Sequence, residues 1–254
     1  MIKNVAKKII RWSVTTSLLC FPRAKIKKAI FYAIQSKKGR FLFINDIIRI
    51  KSIYNPELLK VRDLIGEIKR ETQMLLDEVE AIQIFRSIRQ TSKIEGDIAE
   101  VGVFRGGSAK LICEAKETKN LHLFDTFKGL PALTREDSPR LFYENQFSAS
   151  YDEVTHYLQN YQDVYFYKGL FPSTTGPIAH KNFSFVHIDV DLYEATLECI
   201  KFFYPRLNKG GILISHDYGF ASGVKKAFDE FFYDKPEPII ELEMSGTQCL
   251  IVKI

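Results

Sequence analysis

Hydrophobic and polar positions follow two different patterns along this chain, and the change falls near residue 96. Before that point, apolar residues recur every three to four positions, so residues 57–90 predict one or two helices. After it, short apolar runs that end at Gly or an acid alternate with helical stretches, a pattern typical of an α/β domain. We therefore expect a helical N-terminal extension, residues 1–70, followed by an α/β domain, residues 71–254.

The second part of the chain predicts a parallel sheet with helices on both faces, because strand and helix alternate there. Strands are predicted at 97–103, 121–124, 164–167, 183–188, 211–215, 238–243 and 247–253. Helices are predicted at 108–117, 151–160, 193–204 and 224–232. In such a sheet, ligands bind beyond the carboxyl ends of the strands, near the point where the strand order reverses.

Charge is divided unevenly between the two parts. Residues 1–60 contain 14 Lys and Arg and two acids, which gives +12; residues 61–254 contain 22 basic and 29 acidic residues, which gives −7. The net charge of the whole chain is +5. A basic arm on an acidic body indicates an interaction surface and says nothing about the fold.

Residues 1–40 contain eleven Lys and Arg and no acid, with apolar residues such as Ile26, Ile30 and Ile34 at helical spacing. Three interpretations stay open: a lid on the body, an arm that joins a homodimer, or a helix on an anionic membrane surface. The segment lacks a signal-peptide cleavage pattern. No nucleic-acid partner is expected, because no groove-reading motif is present. We expect a cytoplasmic protein, with peripheral contact at the inner membrane face as the alternative.

Several classes of protein are excluded early. The four cysteines lie far apart and form no CxxC pair, which argues against a zinc ribbon or a disulfide framework. No apolar run approaches the 18 residues of an ordinary membrane-spanning helix.

Acidic side chains follow four of the predicted strands, where each strand ends: Glu100, Asp125, Asp189 and Asp217. A single such acid often caps a helix. Four acids on one edge of a sheet instead predict a site for a positively charged or hydroxylated ligand.

The segment from Glu100 to Ser108 follows a strand and opens a helix, and its glycines allow a ligand to approach the backbone. Their spacing differs from the GxGxxG of dinucleotide sites. The acid in this loop disfavours phosphate and favours a cation, such as an ammonium or a sulfonium. Asp125 stands where an acid accepts hydrogen bonds from ribose hydroxyls. Together they favour S-adenosylmethionine over NAD or ATP.

A second group of polar residues, Asp189, His216 and Asp217, follows the fourth and fifth predicted strands. Carboxylates on neighbouring strand ends can hold Mg²⁺, which would lower the pKa of a bound hydroxyl. His216 is alternatively a general base. His187, inside a predicted strand, is interpreted as structural.

Five ordered segments resemble the macrocin-O-methyltransferase-like family, class I S-adenosylmethionine-dependent methyltransferases that act on sugar hydroxyls of natural products. The resemblance covers residues 75–254. The segments are GDIAEVGVFRGGSA (96–109), LFDTFKGLP (123–131), FSFVHIDVDLYEATL (183–197), FFYPRLNKGGILISHDYG (202–219) and GVKKAFDEFF (223–232).

The resemblance implies a Rossmann-like, seven-stranded class I methyltransferase sheet and a set of site residues. A cofactor would be bound by Glu100, Gly102, Arg105, Gly106, Gly107, Ser108, Asp125, Thr126, Lys168, Gly169, Asp189 and Tyr193. The catalytic residues, which are also the Mg²⁺ ligands, would be Asp189, His216 and Asp217. Family members with demonstrated activity carry a carboxylate where this chain has His216, so the chain departs from the family pattern there.

The expected function is therefore O-methylation of a sugar hydroxyl in a glycan or glycosylated metabolite. S-adenosylmethionine would be the methyl donor, and Mg²⁺ would assist the reaction if His216 allows it to bind. One alternative is a membrane-surface methyltransferase of cell-envelope glycan precursors. Another is a non-catalytic scaffold that binds S-adenosylmethionine and has lost its metal pair at His216.

Overall fold

The computed structural model describes residues 56–242 and 246–254. The interpretations of residues 1–40 as a lid, dimer arm or membrane contact lie outside these ranges. The chain divides into two compact units, Met1–Leu59 and Lys60–Ile254. The sheet and the site described below belong to the second unit.

Two helices precede the sheet, in agreement with the prediction for residues 57–90. Helix α1 is Pro56–Glu71 and helix α2 is Glu78–Gln90. The domain boundary expected after residue 70 falls in the last turn of α1 and stays a prediction. None of the helices in the described part of the chain is both long and apolar enough to span a membrane.

Seven strands form one sheet, as predicted, in the order β3-β2-β1-β4-β5-β7-β6. The strands are β1 Asp97–Val101, β2 Leu121–Asp125, β3 Val164–Lys168, β4 Phe183–Ile188, β5 Leu207–Ser215, β6 Ile240–Glu241 and β7 Cys249–Val252. The first five strands are parallel, while β7 runs antiparallel to both β5 and β6. The two closing strands that the sequence predicted correspond to β6 and β7, and their antiparallel pairing makes the sheet mixed at this edge.

Four helices connect the strands or follow them: α3 Gly107–Ala115, α4 Tyr151–Tyr157, α5 Tyr193–Phe203 and α6 Ser222–Phe232. From β1 the chain moves outward to β2 and β3 on one side of the sheet, and from β4 it moves outward to β5 on the other side. Since crossovers between parallel strands are right-handed, α3 and α5 lie on opposite faces of the sheet.

The strand order reverses between β1 and β4, which are neighbours in the sheet. Their ends are level, because Val101 pairs with Ile188, and Ile188 pairs with Ser215 of β5. The aromatic core beneath is fully buried and includes Phe124 and Phe203. The fold therefore presents several strand ends side by side on a rigid base.

Candidate active site

A cavity of about 370 Å³ lies where β1, β2, β4 and β5 end. This is the switch point at which open α/β sheets bind their ligands. Among the residues that the sequence predicts for the site, those that line the cavity are Gly102, Gly107, Ser108, Asp125, Thr126, Gly169, Asp189, His216 and Asp217.

Gly102 marks the end of β1, and its backbone packs directly against that of Asp189 at the end of β4. Its φ is +91°, and an added Cβ would lie 1.7 Å from the Asp189 carbonyl oxygen. The Asp189 amide donates to the Val101 carbonyl at 2.9 Å, and the Gly102 amide donates to that of Phe124 at 2.9 Å. Glycine here brings three strand ends together and leaves the cavity above them open.

Asp125, at the end of β2, holds the loop after β1 in place. Its Oδ2 accepts hydrogen bonds from the amides of Val103 and Phe104 at 2.7 and 2.8 Å, and its Oδ1 accepts one from Phe127 at 2.7 Å. Burial raises the pKa of Asp125 in spite of these amide donors. Since a carboxylate has about four acceptor sites, capacity is left for a ligand hydroxyl in the cavity.

Glu100 is not exposed to the cavity, contrary to the expectation that it contacts a cationic ligand. Its side chain is fully buried, and its Oε1 lies 2.9 Å from Nδ1 of His187, which is also fully buried. These two residues face each other in the register of β1 and β4. Burial raises the pKa of Glu100. The pair therefore joins the two central strands, and His187 has the structural role that the sequence predicted.

His216 turns one ring nitrogen, Nδ1, towards both of the carboxylates with which the sequence grouped it. Its Nδ1 is 2.9 Å from Asp217 Oδ1 and 3.3 Å from Asp189 Oδ1. Burial alone would lower the pKa of His216, but the surrounding carboxylates raise it well above the usual range. Burial alone would raise the pKa of Asp189, but His216 lowers it.

Asp191 adds a further acid to the cluster. Its backbone has a φ of 62°. Burial and the neighbouring carboxylates of Asp189 and Asp217 raise the pKa of Asp191 well above its ordinary value. Asp191 therefore keeps its proton to a higher pH than an ordinary aspartate does.

Glu80 of α2 is a member of this site that the sequence interpretation missed. Its Oε1 lies 3.3 Å from Nε2 of His216, on the opposite side of the ring from the two aspartates. Only 4% of Glu80 is exposed. In the sequence, Glu80 is recognisable only as part of a helix start, because Asp77 and Glu80 form the Asp-x-x-Glu capping box of α2. Nothing in that pattern indicates a functional site.

The donor set fits a divalent cation. Among the described residues, one donor atom each from Asp189, His216 and Asp217 lies within 4.8 Å of the other two. Two neighbouring ligand atoms that each lie about 2.1 Å from an octahedral ion are about 3 Å from each other. The distances from His216 Nδ1 to Asp217 Oδ1, 2.9 Å, and to Asp189 Oδ1, 3.3 Å, are close to this value.

Arg105 and Gly106, two residues predicted to bind a cofactor, lie outside the cavity lining. The Arg105 guanidinium lies 5.4 Å from the centre of the Phe104 ring. Gly106 is the N-cap residue of α3 and has a φ of +78°. A Cβ added to it would lie 3.2 Å from a methyl group of Val154 in α4. Both residues shape the loop; neither borders the cavity.

Lys168 and Tyr193 also lie outside the lining. The Lys168 ammonium lies 4.9 Å from the centre of the Tyr151 ring. The Tyr193 amide donates to Asp137 Oδ1 at 2.7 Å, and its hydroxyl donates to Glu230 at 2.7 Å. The Lys168 ammonium and the Tyr193 hydroxyl thus have their partners outside the cavity.

Apolar side chains that the sequence did not predict form much of the cavity wall. They come from the segment before α2 and from loops, where no periodicity marks them as wall residues. They include Leu75, Phe142, Phe147, Leu170 and Phe220. Leu75, Leu170 and Phe220 are each more than half exposed. The rim is therefore apolar, whereas the floor carries the acids.

The seven-stranded order, with a glycine loop and acids at the switch point, defines the Rossmann-like fold of the methyltransferases. The solved structure of the O-methyltransferase NovP matches with a TM-score of 0.59 and 24% identity, covering 68% of this chain and 78% of that one. The model of the family described as Macrocin-O-methyltransferase (TylF) matches residues 74–248. The chain belongs to this family.

Two relatives of known name are O-methyltransferases. Demethyldecarbamoylnovobiocin O-methyltransferase of Streptomyces niveus is 27% identical over 172 residues, 61% of this chain and 66% of that protein. Mycinamicin III 3''-O-methyltransferase of Micromonospora griseorubida is 30% identical over 142 residues, 49% of this chain and 56% of that protein. The matched region thus spans less than two thirds of either relative.

Proposed function

We propose that this protein transfers a methyl group from S-adenosylmethionine to a sugar hydroxyl of a glycan or glycosylated metabolite. One observation carries the proposal. Asp125, Asp189 and Asp217, from the ends of three strands, meet at one cavity whose floor is opened by Gly102. Membership of the macrocin-O-methyltransferase family supports the reaction type.

The donor is expected to lie along the ends of β1 and β2. The remaining acceptor capacity of Asp125 suits a ribose hydroxyl, and the amides at the start of α3 suit the carboxylate of the methionine part. The negative floor around Asp189 favours the sulfonium. In this proposal Glu100 acts indirectly, by fixing β1 against β4 through His187.

The acceptor hydroxyl is expected near Asp189, His216 and Asp217. One of these groups takes the hydroxyl proton as the oxygen attacks the methyl carbon in line with the breaking carbon–sulfur bond. The products are the methyl ether and S-adenosylhomocysteine, and the proton stays on the protein until solvent removes it. Since the donor is already activated, positioning supplies much of the acceleration.

A divalent ion, Mg²⁺ in the simplest form of the proposal, would be held by Asp189, His216 and Asp217. When bound, it would lower the pKa of the acceptor hydroxyl. The two aspartates would then orient the hydroxyl, and the apolar rim would exclude water from it.

The acceptor class is proposed from two features. The relative from Micromonospora griseorubida is named for methylation at the 3'' oxygen of mycinamicin III. The rim residues Leu75, Leu170 and Phe220 offer an apolar surface beside the acidic floor. A sugar attached to an apolar group suits both.

The test has two parts. Calorimetric titration of the full chain with S-adenosylmethionine measures donor binding, and we expect one site per chain. Transfer of a labelled methyl group to a panel of glycans and glycosylated natural products then measures turnover. Binding with no turnover on any acceptor would favour the scaffold alternative, and absence of binding would refute the proposal.

A further inference from the structure

Asp137 is a buried acid in the long connection between β2 and α4. We call this connection, residues 126–148, the wall loop, because it borders the cavity. Only 7% of Asp137 is exposed. Its Oδ2 accepts hydrogen bonds from the amide and the hydroxyl of Thr134 at 2.8 and 2.7 Å, within the wall loop. Its Oδ1 accepts the amide of Tyr193 at 2.7 Å, so the same carboxyl group joins the loop to a helix start 56 residues further along the chain.

The start of α5 has no cap of its own. Leu192 is the N-cap residue, and its side chain makes no capping hydrogen bond. The first amides of a helix need acceptors, and this end of the helix dipole favours an acid. Asp137 supplies the acceptor from outside the helix. The start of α6 lies close to it as well, since a Cβ added to Gly223 would be 2.6 Å from Asp137 Oδ1.

The wall loop and α5 both contribute apolar lining to the cavity. Leu130 and Phe142 come from the wall loop, and α5 contributes Ala195 and Cys199. Leu130, Phe142 and Cys199 also belong to one buried apolar cluster. This part of the lining suits a flat, largely apolar group. In the proposed function, the adenine base of the donor is such a group.

The two ends of the wall loop are joined at a neck. The Leu130 amide donates to the Gln146 carbonyl at 2.8 Å, and the Asn145 amide donates to the Leu130 carbonyl at 2.9 Å. The position of residues 131–144 therefore depends on contacts beyond the neck. The contact that Asp137 makes with the start of α5 is buried and crosses to another element.

We propose that Asp137 is a positioning residue of the donor site: it fixes the wall loop against the start of α5, so that the apolar lining is in place before S-adenosylmethionine binds. Asp137 acts through the loop, since it lies outside the cavity lining. A loop that is already held in its bound position loses less conformational entropy on binding. The inference rests on the proposed function, because it concerns the donor of that reaction.

Calorimetric titration with S-adenosylhomocysteine tests the proposal on the full chain. D137A should weaken binding by about tenfold or more, because it removes the contact that holds the loop. D137N should bind within about threefold of wild type, because asparagine keeps a side-chain oxygen that can accept the Tyr193 amide. Wild-type affinity in D137A would overturn the proposal. Equal losses in D137N and D137A would overturn it too, since the hydrogen bond to α5 would then not be the cause.

Two further variants separate this contact from charge and from general stability. E136A removes the neighbouring carboxylate, which pairs with the exposed Lys226 at 3.4 Å, and should bind S-adenosylhomocysteine as wild type does. G223A leaves Asp137 intact but places a methyl group against its Oδ1, so it should weaken binding about threefold or more. A loss in E136A as large as that in D137A would contradict the specific role of Asp137. Wild-type affinity in G223A would contradict the packing on which that role depends.

Hydrogen–deuterium exchange of the ligand-free protein tests the anchor without the donor. In D137A, amides of residues 131–144 and of the first turn of α5 should exchange about tenfold faster than in wild type. Amides of β4 and β5 should keep their wild-type rates, which shows that the variant is folded. Unchanged exchange in the wall loop would overturn the proposal. A wild-type chain that does not bind S-adenosylhomocysteine would instead refute the proposed function, whereas equal binding by wild type and D137A refutes this inference alone.

Discussion

The carbonyl oxygen of Asp189 occupies the space that a side chain on Gly102 would need. An ideal Cβ on Gly102 would lie 1.7 Å from that oxygen, and the backbone φ of +91° is unfavourable for any other residue. The contact joins the ends of the two central strands at the floor of the cavity. It explains why the glycine-rich loop starts with glycine at this position, independently of any ligand.

Gly102→Ala should therefore destabilise the protein. We expect the free energy of unfolding to fall by about 3 kcal/mol or more, because both backbone strain and a displaced strand end contribute. Urea denaturation followed by circular dichroism measures this. Gly176→Ala is the control, since no atom lies within 4 Å of its added Cβ, and it should change stability by less than about 0.5 kcal/mol. A loss as small as the control's would contradict the packing described here.

Asp125→Asn should weaken S-adenosylmethionine binding at least tenfold. Asparagine has an NH₂ group in place of one carboxylate oxygen. The variant therefore loses either the acceptor for the Val103 and Phe104 amides or the acceptor for the Phe127 amide, and the loop after β1 is held less firmly. The variant also loses the charge that suits a ribose hydroxyl. Calorimetric titration measures the affinity, with Asp63→Asn, an exposed change of the same kind on α1, as control. Unchanged affinity would refute the ribose assignment.

Asp189→Asn should reduce turnover by about 10²- to 10⁴-fold while donor affinity stays within a few fold, if it accepts or orients the hydroxyl proton. Asp191→Asn is the comparison. We expect a much smaller loss in this variant, because it is Asp189 whose Oδ1 lies 3.3 Å from Nδ1 of His216. Methyl transfer at saturating donor measures both. Equal losses in the two variants would assign Asp189 a purely structural role.

Glu237 gives a prediction for the pH dependence of stability. It accepts hydrogen bonds from the Tyr204 hydroxyl at 2.6 Å and from the Lys253 ammonium at 2.9 Å. Burial alone would raise the pKa of Glu237, but these donors lower it to about 2. A carboxyl whose pKa is lowered on folding stabilises the protein above its unfolded pKa, near 4.5, and this contribution is lost as the pH falls towards 2.

Glu237→Gln should thus cost about 2 to 3 kcal/mol at pH 7 and clearly less near pH 3. Urea unfolding at both pH values measures the difference between wild type and variant. Glu241→Gln, an exposed carboxylate on β6, is the control and should show no such dependence. A cost that is equal at the two pH values would show that the ionised form of Glu237 is not the stabilising one.

The positions of the strand ends could be predicted from the sequence, since each apolar run stops at a residue that strands tolerate poorly. Gly102, Asp125, Asp189 and Asp217 are all such residues, and the topology brings them to one edge. The central strands β1, β2 and β4 are covered on both faces, which makes their apolar runs continuous and easy to recognise.

The same continuity explains why the sequence did not show which way the Glu100 side chain points. When both faces of a strand are buried, the alternation of polar and apolar residues that shows which way a side chain points is lost. Only the register of β1 against β4, which places Glu100 opposite His187, shows that its carboxylate is used inside the sheet. Glu80 was missed for another reason: its contact with His216 joins segments that are distant in the sequence and share no motif.

The central claim is that the strand-end acids around Asp125 and Asp189 bind the methyl donor. A crystal structure of the full chain with S-adenosylhomocysteine tests it most directly. The account predicts a ribose hydroxyl within hydrogen-bond distance of Asp125 and the sulfur on the Asp189 side of the cavity. A nucleoside that lies elsewhere on the protein, with the cavity at the ends of β1 and β4 empty, would contradict it.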